Sequence, residues 1–160
     1  MTALNLKLLT VSAISIWLGA MAFFSLFVAP AAFSVLDRES AGRLVTTVFP
    51  RYYLFGLVFG LLGLVGVVGR LLRTVGRHAP WGTLALLLLM LGLTLYAIWV
   101  LLPASESARA AMRAAGVAPG SAAPEARAFA HLHRTSVLLN GVTLLAGLAL
   151  VCLEAVRFRG

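Results

Sequence analysis

The chain has 160 residues, of which 61% are hydrophobic and only 11% are charged, and its mean hydropathy is +1.00. Soluble domains average about 25% charged residues, so this composition has too few polar residues to cover a water-facing surface. The formal net charge is +8, but the basic residues flank apolar runs instead of forming one stripe. We therefore predict a lipid bilayer as the partner and exclude nucleic acid.

Four apolar runs follow one another and leave room for a single domain. They cover residues 8–33, 52–69, 81–102 and 136–156. Each approaches or exceeds the roughly 20 residues that a helix needs to cross a bilayer. Stretches such as LALLLLMLGL do not alternate as the strands of a membrane β-barrel do. The expected fold class is all-α, an integral membrane four-helix bundle, in the inner membrane of a bacterium.

Prolines and the single cysteine mark local features of these spans. Pro50 and Pro80 are expected to begin the helices of the second and third spans, because an N-terminal turn does not need their missing N–H. Pro103 is expected to end or kink the third span. Cys152 lies in the last apolar run, where it excludes an intrachain disulfide and is expected to be a buried structural thiol. The first run is longer than the apolar core of a signal peptide, so we expect it to be retained.

The one long connection, residues 104–134, is predicted to be helical and outside the membrane. Ser105 can cap a short helix that Gly116 stops, and a turn at residues 119–121 follows. A new helix is expected to begin near Pro124 and to run unbroken into the fourth span. At about 30 residues, or roughly 45 Å, this helix would project beyond the hydrocarbon.

The distribution of basic residues predicts that both termini are cytoplasmic. Short segments next to span ends, which dominate the positive-inside rule, lie on the side of the termini. That side holds Lys7, Arg70, Arg73, Arg77, Arg157 and Arg159, with Glu154 as the acidic companion. The other side holds longer connections mixed with acidic residues and carries Arg38, Arg43, Arg51, Arg109, Arg113, Arg127 and Arg134.

Small residues are frequent in the second span, at Gly56, Gly60, Gly63, Gly66 and Gly69. Glycines let helix backbones approach closely, and such approach drives helix association in lipid. Packing within the bundle is the preferred interpretation. A homo-oligomer formed through this glycine-rich span is the alternative.

A polar stripe in the fourth span is the main candidate site. His133, Ser136 and Asn140 have the spacing i, i+3, i+7 and share one helix face, which should turn away from lipid. The stripe either ties the helices together or forms a polar pocket at one membrane boundary, with His133 as a metal or haem ligand or a proton carrier. His131 lies about 200° around the helix from His133, so His-x-His is a weak metal signal.

Residues in the first two spans can join this pocket. Arg51, Tyr52 and Tyr53 lie on the same predicted side as His133, where they contribute to the site or only belong to the interfacial belt. Trp17 lies well inside the first span, so its indole N–H needs an internal partner or a bound ligand. No acidic residue lies deep within a span, which argues against a proton pump built on a buried carboxylate.

Three stretches, WLGAMAFFSLFVAPAAF, AGRLVTTVFPRYY and FAHLHRTSVLLNGV, together resemble the small four-span family typified by transmembrane protein 205. That family is distantly similar to copper-resistance D-type membrane domains and to a four-span haem-biosynthesis oxidase. The resemblance implies a soft metal, a metal complex or haem near a histidine at the membrane boundary. The residues that carry it are Trp17, Gly19, Ala29, Pro30, Phe33, Phe49, Pro50, Tyr52, His133, Ser136 and Asn140.

The sequence is compatible with three functions. The first is a non-enzymatic membrane protein that binds or transports a metal ion, a metal complex or a small amphiphile. Its pocket would use His133, Ser136, Asn140, Trp17, Arg51, Tyr52 and Pro30, with His133, and less directly His131, as metal ligand. The second is a haem- or porphyrin-linked redox enzyme with His133 as axial ligand. The third is a structural or assembly protein without a ligand.

The predicted orientation is tested by labelling single cysteines, in a background without Cys152, with an impermeant maleimide on intact cells. Ser121→Cys should react because residues 104–134 lie outside, and Thr74→Cys should not. Labelling of Thr74→Cys without labelling of Ser121→Cys would reverse the orientation.

Overall fold

A computed structural model describes residues 2–73 and 79–157, which form four long helices. These are α1 (Ala3–Val35), α2 (Arg38–Leu71), α3 (Trp81–Ala114) and α4 (Pro124–Val156), and each is long and apolar enough to cross a membrane. The predicted all-α membrane bundle is thus confirmed. Thr74, Arg77 and Arg159, which the orientation prediction uses, lie outside the described residues.

The helices pack in a ring in which each contacts two neighbours. The opposite corners are α1 with α3, and α2 with α4, and within the described ranges neither of these pairs brings Cα atoms within 8 Å of each other. Fully buried apolar side chains from all four helices fill the centre: Ile14, Val67, Leu87, Met90 and Leu150. The middle of the bundle is therefore a closed apolar layer.

Inward-facing positions alternate in steps of four and three residues. On α3 every member of such a series is buried: Thr83, Leu87, Met90, Thr94, Ala97 and Leu101. On α4 the buried series is Thr143, Gly147, Leu150 and Glu154. This spacing is that of helices crossing at about 20°, as most membrane bundles do. It places threonines and a glutamate inside.

The glycine row of α2 lies against α1. A Cβ atom added to Gly56 would lie 2.5 Å from the indole nitrogen of Trp17, and one added to Gly66 would lie 2.5 Å from the carbonyl oxygen of Leu6. Packing within the bundle, the preferred interpretation of these glycines, is confirmed. A homo-oligomer would have to use another face of α2 and stays a prediction.

The helix of the second span begins earlier than the apolar run indicated. Asp37 caps α2, because its Oδ1 accepts hydrogen bonds from the amides of Glu39 at 3.0 Å and Ser40 at 2.9 Å. Pro50 therefore lies inside α2 and does not begin it, so that prediction is wrong. An apolar run marks only the part of a helix in contact with lipid, and a capping side chain sets where the helix begins.

Two of the helices contain a π-helical turn directly before a proline. In α3 the turn covers Ala97–Leu101, and the amide of Leu102 donates to the carbonyl of Ala97, five residues back. In α1 the turn covers Phe24–Val28 and precedes Pro30. A proline ring clashes with the carbonyl four residues earlier, and a wider turn accommodates that clash.

The connection between α3 and α4 is partly as predicted. Because α3 runs through Pro103 to Ala114, Pro103 does not end the helix and Ser105 does not cap a separate one. Gly116, with φ at 62°, is the predicted stop. After a turn, α4 begins at Pro124 and continues for 33 residues, which confirms the predicted long helix.

Cys152 is exposed, so the prediction of a buried thiol is wrong. Its position lies outside the inward series of α4, whereas Glu154, two residues later, belongs to that series and is fully buried. Two residues correspond to about 200° on a helix, so the two side chains point to nearly opposite sides. An apolar run alone does not tell which of its faces meets lipid.

Glu154 is the point at which all four helices meet. Its carboxylate accepts hydrogen bonds from the two terminal nitrogens of Arg70 on α2, at 2.7 and 2.9 Å, and from the hydroxyl of Thr83 on α3. Arg157, on the turn that follows α4, lies 4.0 Å away, and Lys7 on α1 adds attraction. From the sequence, Glu154 was expected only to accompany the arginines at the ends of the spans. In the structure it forms a bidentate and buried ion pair with Arg70. We call this group the inner cluster.

Removing one member of the buried pair should destabilise the bundle strongly. Glu154→Leu leaves Arg70 buried and unpaired, which costs about 3–5 kcal/mol, whereas Arg70→Met with Glu154→Leu should recover most of that loss. Unfolding in mixed detergent micelles measures both changes, with the exposed Glu106→Leu as the control that alters stability by about 0.5 kcal/mol or less. A double variant as unstable as the two single changes added together would contradict the pairing.

Candidate functional site

A small cavity lies inside the bundle at the end opposite the inner cluster, and we call it the boundary pocket. Its volume is about 20 Å³, roughly the space of one water molecule. All four helices contribute polar side chains to its wall, in an otherwise apolar bundle: Trp17, Tyr52, Tyr53, Thr94, Ser136, Asn140 and Thr143. On α2, 18 residues separate Tyr52 from Arg70, which corresponds to about 27 Å along the helix.

Hydrogen bonds across the bundle hold one wall of the pocket. The hydroxyl of Tyr52 on α2 donates to the side-chain oxygen of Asn140 on α4 at 2.6 Å. The amide nitrogen of Asn140 donates to the hydroxyl of Ser25 on α1 at 3.1 Å. Tyr53 lies beside Ser136 on another part of the wall. Asn140 thus links α4 to its opposite corner and to α1.

Trp17 is the deepest polar side chain of the pocket. It is only 3% exposed, and its indole nitrogen packs against Gly56. Within the described part of the chain no acceptor forms a hydrogen bond with its N–H. Trp17 therefore lies inside the bundle and lines the cavity, and the expectation that its indole N–H has an internal partner or a bound ligand stays a prediction.

Both π-helical turns border the pocket. Ser25 belongs to the turn in α1 and bonds with Asn140, and Ala97 opens the turn in α3 and lines the cavity. Such turns are frequent at functional sites because they displace side chains from the regular helical register. The prolines that follow them therefore shape the pocket without lining it.

His133 does not join the pocket, so the expectation that the whole stripe points inward is wrong for this residue. Ser136 and Asn140 line the cavity, but His133 is exposed and its ring stacks on Phe129, with centroids 6.4 Å apart. Stacking one turn back along the same helix gives the imidazole a partner at the surface. His131 is also exposed. Neither histidine lines the pocket, and no histidine or cysteine is among the described residues that do.

Arg51 and Pro30, also named from the sequence, do not line the pocket either. Arg51 is exposed, and its guanidinium donates to the carbonyl of Thr47 at 3.1 Å, as expected of an interfacial arginine. Pro30 is exposed, and its ring is accommodated by the π-helical turn before it, which borders the pocket. Of the predicted site residues, the pocket brings together Trp17, Tyr52, Ser136 and Asn140.

Sequence reasoning placed Tyr53 beside Tyr52, and Tyr53 does line the pocket, but it missed Thr94 and Ser25 as neighbours of these residues. Thr94 is a polar residue within the most apolar run, a recognisable signal of an inward position. Its hydroxyl donates to the carbonyl of Met90 at 2.9 Å, which leaves the oxygen lone pairs free to face the cavity. Ser25 is also a polar residue within an apolar run, but its contact with Asn140 depends on the π-helical turn, which the sequence pattern does not indicate.

The polar groups of the pocket do not fit a soft metal ion. They are hydroxyls, an amide and an indole, whereas soft metals take thiolate, thioether or imidazole ligands. Among the described residues, no three His, Cys, Asp or Glu side chains come together in a group that could hold a metal. A porphyrin is also far larger than a cavity of about 20 Å³.

The bond between Tyr52 and Asn140 should contribute measurably to stability. Tyr52→Phe and Asn140→Leu should each lower the free energy of unfolding by about 0.6–2 kcal/mol, and the double variant should lose less than the sum. A double-mutant cycle in detergent measures this coupling. Thr135→Val, which removes a hydroxyl bonded only within α4, serves as the control. Additive losses would show that the two groups do not interact.

Comparisons with known proteins place the chain in a family. The family model described as "Domain of unknown function (DUF4149)" matches residues 12–114, from within α1 to the end of α3. An "Uncharacterized protein" of Aquifex aeolicus (strain VF5) is 42% identical over 84 residues, which cover 52% of this chain and 60% of that relative's length. No solved structure matches the chain. Because the family model covers more than half of the sequence, the protein belongs to the DUF4149 family.

Proposed function

We propose that this protein binds a small amphiphile through the boundary pocket and catalyses no reaction. The observation that carries the proposal is the position of Trp17, a residue only 3% exposed, which lines a polar cavity and whose indole N–H has no acceptor among the described residues. The indole N–H is a hydrogen-bond donor, so an oxygen atom of a ligand in the cavity would be bound there favourably.

The size of the cavity limits what enters it. About 20 Å³ admits one oxygen-sized group, such as a hydroxyl or a carbonyl oxygen. Such a group would accept from Trp17 and exchange hydrogen bonds with Ser136 or the tyrosines. The rest of the ligand has to lie outside the cavity, where the surroundings are apolar. A single polar head on an apolar body meets both requirements.

The route of entry lies between α1 and α4. The bond between Asn140 and Ser25 closes the pocket there, and Ser25 is exposed at the surface of the bundle. One helical turn along α4, Val137 is 58% exposed. An amphiphile dissolved in the bilayer would meet apolar side chains first and the amide of Asn140 next, so it needs no path through water.

The interior favours binding over transport. Ile14, Leu87, Met90 and Leu150, all fully buried, separate the pocket from the inner cluster. An ion or polar solute crossing the bundle would need polar side chains or water along its way. The pocket is therefore a terminal site approached from one end, and transport of a metal ion is not what we propose.

The same lining supports a protein without catalytic activity. General acid–base catalysis uses groups that exchange protons near neutral pH. The pocket offers phenols, hydroxyls, an amide and an indole instead. Both histidines of α4 are exposed and outside it.

We also propose that the chain is related to the transmembrane protein 205-like family, whose motif residues here include Trp17, Tyr52, Ser136 and Asn140, four residues that line one pocket. We propose that the protein resides in a bacterial inner membrane with both termini in the cytoplasm. On this view the boundary pocket belongs to the outer leaflet and the inner cluster to the cytoplasmic one.

Fluorescence of Trp17 tests the binding directly. In a background with Trp81→Phe and Trp99→Phe, in phosphatidylcholine nanodiscs, n-decanol should change the emission with saturation, and n-decane should not. The alcohol oxygen can accept from the indole, and the alkane has no such atom. Asn140→Leu should abolish the saturable response, whereas Thr135→Val should retain it. Identical, unsaturable responses to both probes would contradict the proposal.

An absorption spectrum and metal analysis of the protein purified in mild detergent test the rival functions. A Soret band would establish haem. Bound metal that is lost in His133→Ala, with the fold intact, would establish a metal site at that histidine. Either result would replace the amphiphile proposal. Equal metal content in His133→Ala and wild type would leave His133 without a ligand role.

A further inference from the structure

A second, larger concavity lies between the ends of α2 and α3, outside the apolar layer, and we call it the arginine groove. Its volume is about 730 Å³. Arg43 and Thr47 lie on its α2 side, and Glu106, Arg109 and Arg113 lie on its α3 side. Three guanidinium groups and one carboxylate give the groove a formal charge of +2. It shares no lining residue with the boundary pocket.

Arg109 is held in place by packing, and Glu106, three residues earlier on α3, attracts it without forming a salt bridge. Its guanidinium lies 5.1 Å from the centre of the Phe129 ring on α4. Its Nη1 atom is so close to α2 that a Cβ atom added to Gly42 would lie 2.8 Å from it. In the described part of the chain no carboxylate lies within 4 Å of this guanidinium, and none of its N–H groups donates a hydrogen bond. A guanidinium carries five N–H donors, and these contacts fix where the donors of Arg109 lie.

Arg113 follows one helical turn later and raises the charge density further. Like charges four residues apart on a helix repel each other and destabilise it, and Arg113 acts on Arg109 in this way. No carboxylate lies within 4 Å of Arg113 among the described residues. An anion between the two guanidinium groups would turn this repulsion into attraction, most effectively a phosphate, which arginine binds through paired N–H donors.

The other polar side chains of the groove do not prevent an anion from binding to Arg109 and Arg113. The hydroxyls of Thr46, Thr47 and Ser107 donate to backbone carbonyls of their own helices. Arg43 lies 3.5 Å from Glu39, a pair that is largely exposed on both sides and therefore weak. Glu106 opposes an anion, but one carboxylate faces three guanidinium groups.

The height of the groove matches the headgroup layer. The apolar run of α3 ends near residue 102, so Arg109 lies about 10 Å further along the axis. Helical side chains tilt towards the N-terminus, which for this end of α3 means towards the hydrocarbon. Trp99, 76% exposed, and Tyr96, 45% exposed, mark the interface below the groove.

We infer that the arginine groove binds the phosphate group of an anionic phospholipid, with Arg109 and Arg113 as its principal donors. The apolar surface of α3 below the groove receives the acyl chains, which a free phosphate lacks. This site is independent of the boundary pocket and does not rest on the function proposed for that pocket.

Native mass spectrometry of the full chain in a non-ionic detergent tests the site. Retention of added dioleoylphosphatidylglycerol should exceed that of dioleoylphosphatidylcholine. It should fall about tenfold or more in Arg109→Gln with Arg113→Gln, because charge-assisted hydrogen bonds to phosphate are lost. The control pair Arg127→Gln with Arg134→Gln, two exposed arginines of α4, changes the net charge equally and should retain the lipid.

Gly42→Ala keeps the test decisive if the double arginine variant does not fold. The added methyl group displaces the guanidinium of Arg109 without changing any charge, and alanine favours a helix over glycine. Weaker phosphatidylglycerol retention with an unchanged melting temperature is expected. Equal retention by wild type and every groove variant that folds would overturn the proposal.

Competition separates a lipid from a soluble ligand, and the two sites from each other. Inorganic phosphate or glycerol phosphate should not displace the lipid at equal concentration. Displacement would assign the groove to a free phosphate ester and overturn the lipid assignment. In folded groove variants the response of Trp17 to n-decanol should persist, so failure of either proposal can be recognised without the other.

Discussion

The buried ion pair between Arg70 and Glu154 is the interaction on which the arrangement of the helices depends. Helices α2 and α4 occupy opposite corners of the ring and have no close backbone approach in the described residues, so only side chains connect them. The pair is bidentate and withdrawn from solvent, which makes its disruption costly. By fixing how α2 and α4 are rotated, it directs the glycine row of α2 towards α1 and the polar residues of α4 towards the centre.

The same rotation produces a second connection between the two corners, at the other end of the bundle. Asn140 lies two heptads before Glu154 on α4. Each of them accepts a hydrogen bond from a residue of α2: Asn140 from Tyr52, and Glu154 from Arg70. The two ends differ in what surrounds the connection. Glu154 is enclosed by its partners, whereas the bond of Asn140 borders a cavity that Trp17 also lines. Leu87 and Leu150, both fully buried, lie between the two ends, so the ion pair and the cavity are separated by apolar packing.

Much of this architecture was predictable from the sequence, because run length and hydropathy decide how many helices cross the membrane. Trp17, Tyr52, Ser136 and Asn140 were also identifiable, since polar groups deep in apolar helices turn inward. His133 was misplaced because helical spacing gives a direction but not the partner that a side chain finds, here Phe129. Glu154 was taken for a flanking charge, although the alternation of three and four residues, extended from Thr143 and Leu150, places it inside. Ser25 depended on a π-helical turn, for which sequence periodicity has no counterpart.

The central claim is that the indole N–H of Trp17 faces a space that a ligand oxygen can fill. The most direct measurement is the ¹H–¹⁵N NMR spectrum of a variant with Trp17 as its single tryptophan, in nanodiscs. The account predicts magnetisation transfer from water to the indole proton, and its loss as n-decanol saturates the site. An indole proton that shows no contact with water, and whose resonance n-decanol does not shift, would contradict the account. The polar residues of the pocket would then serve helix packing alone.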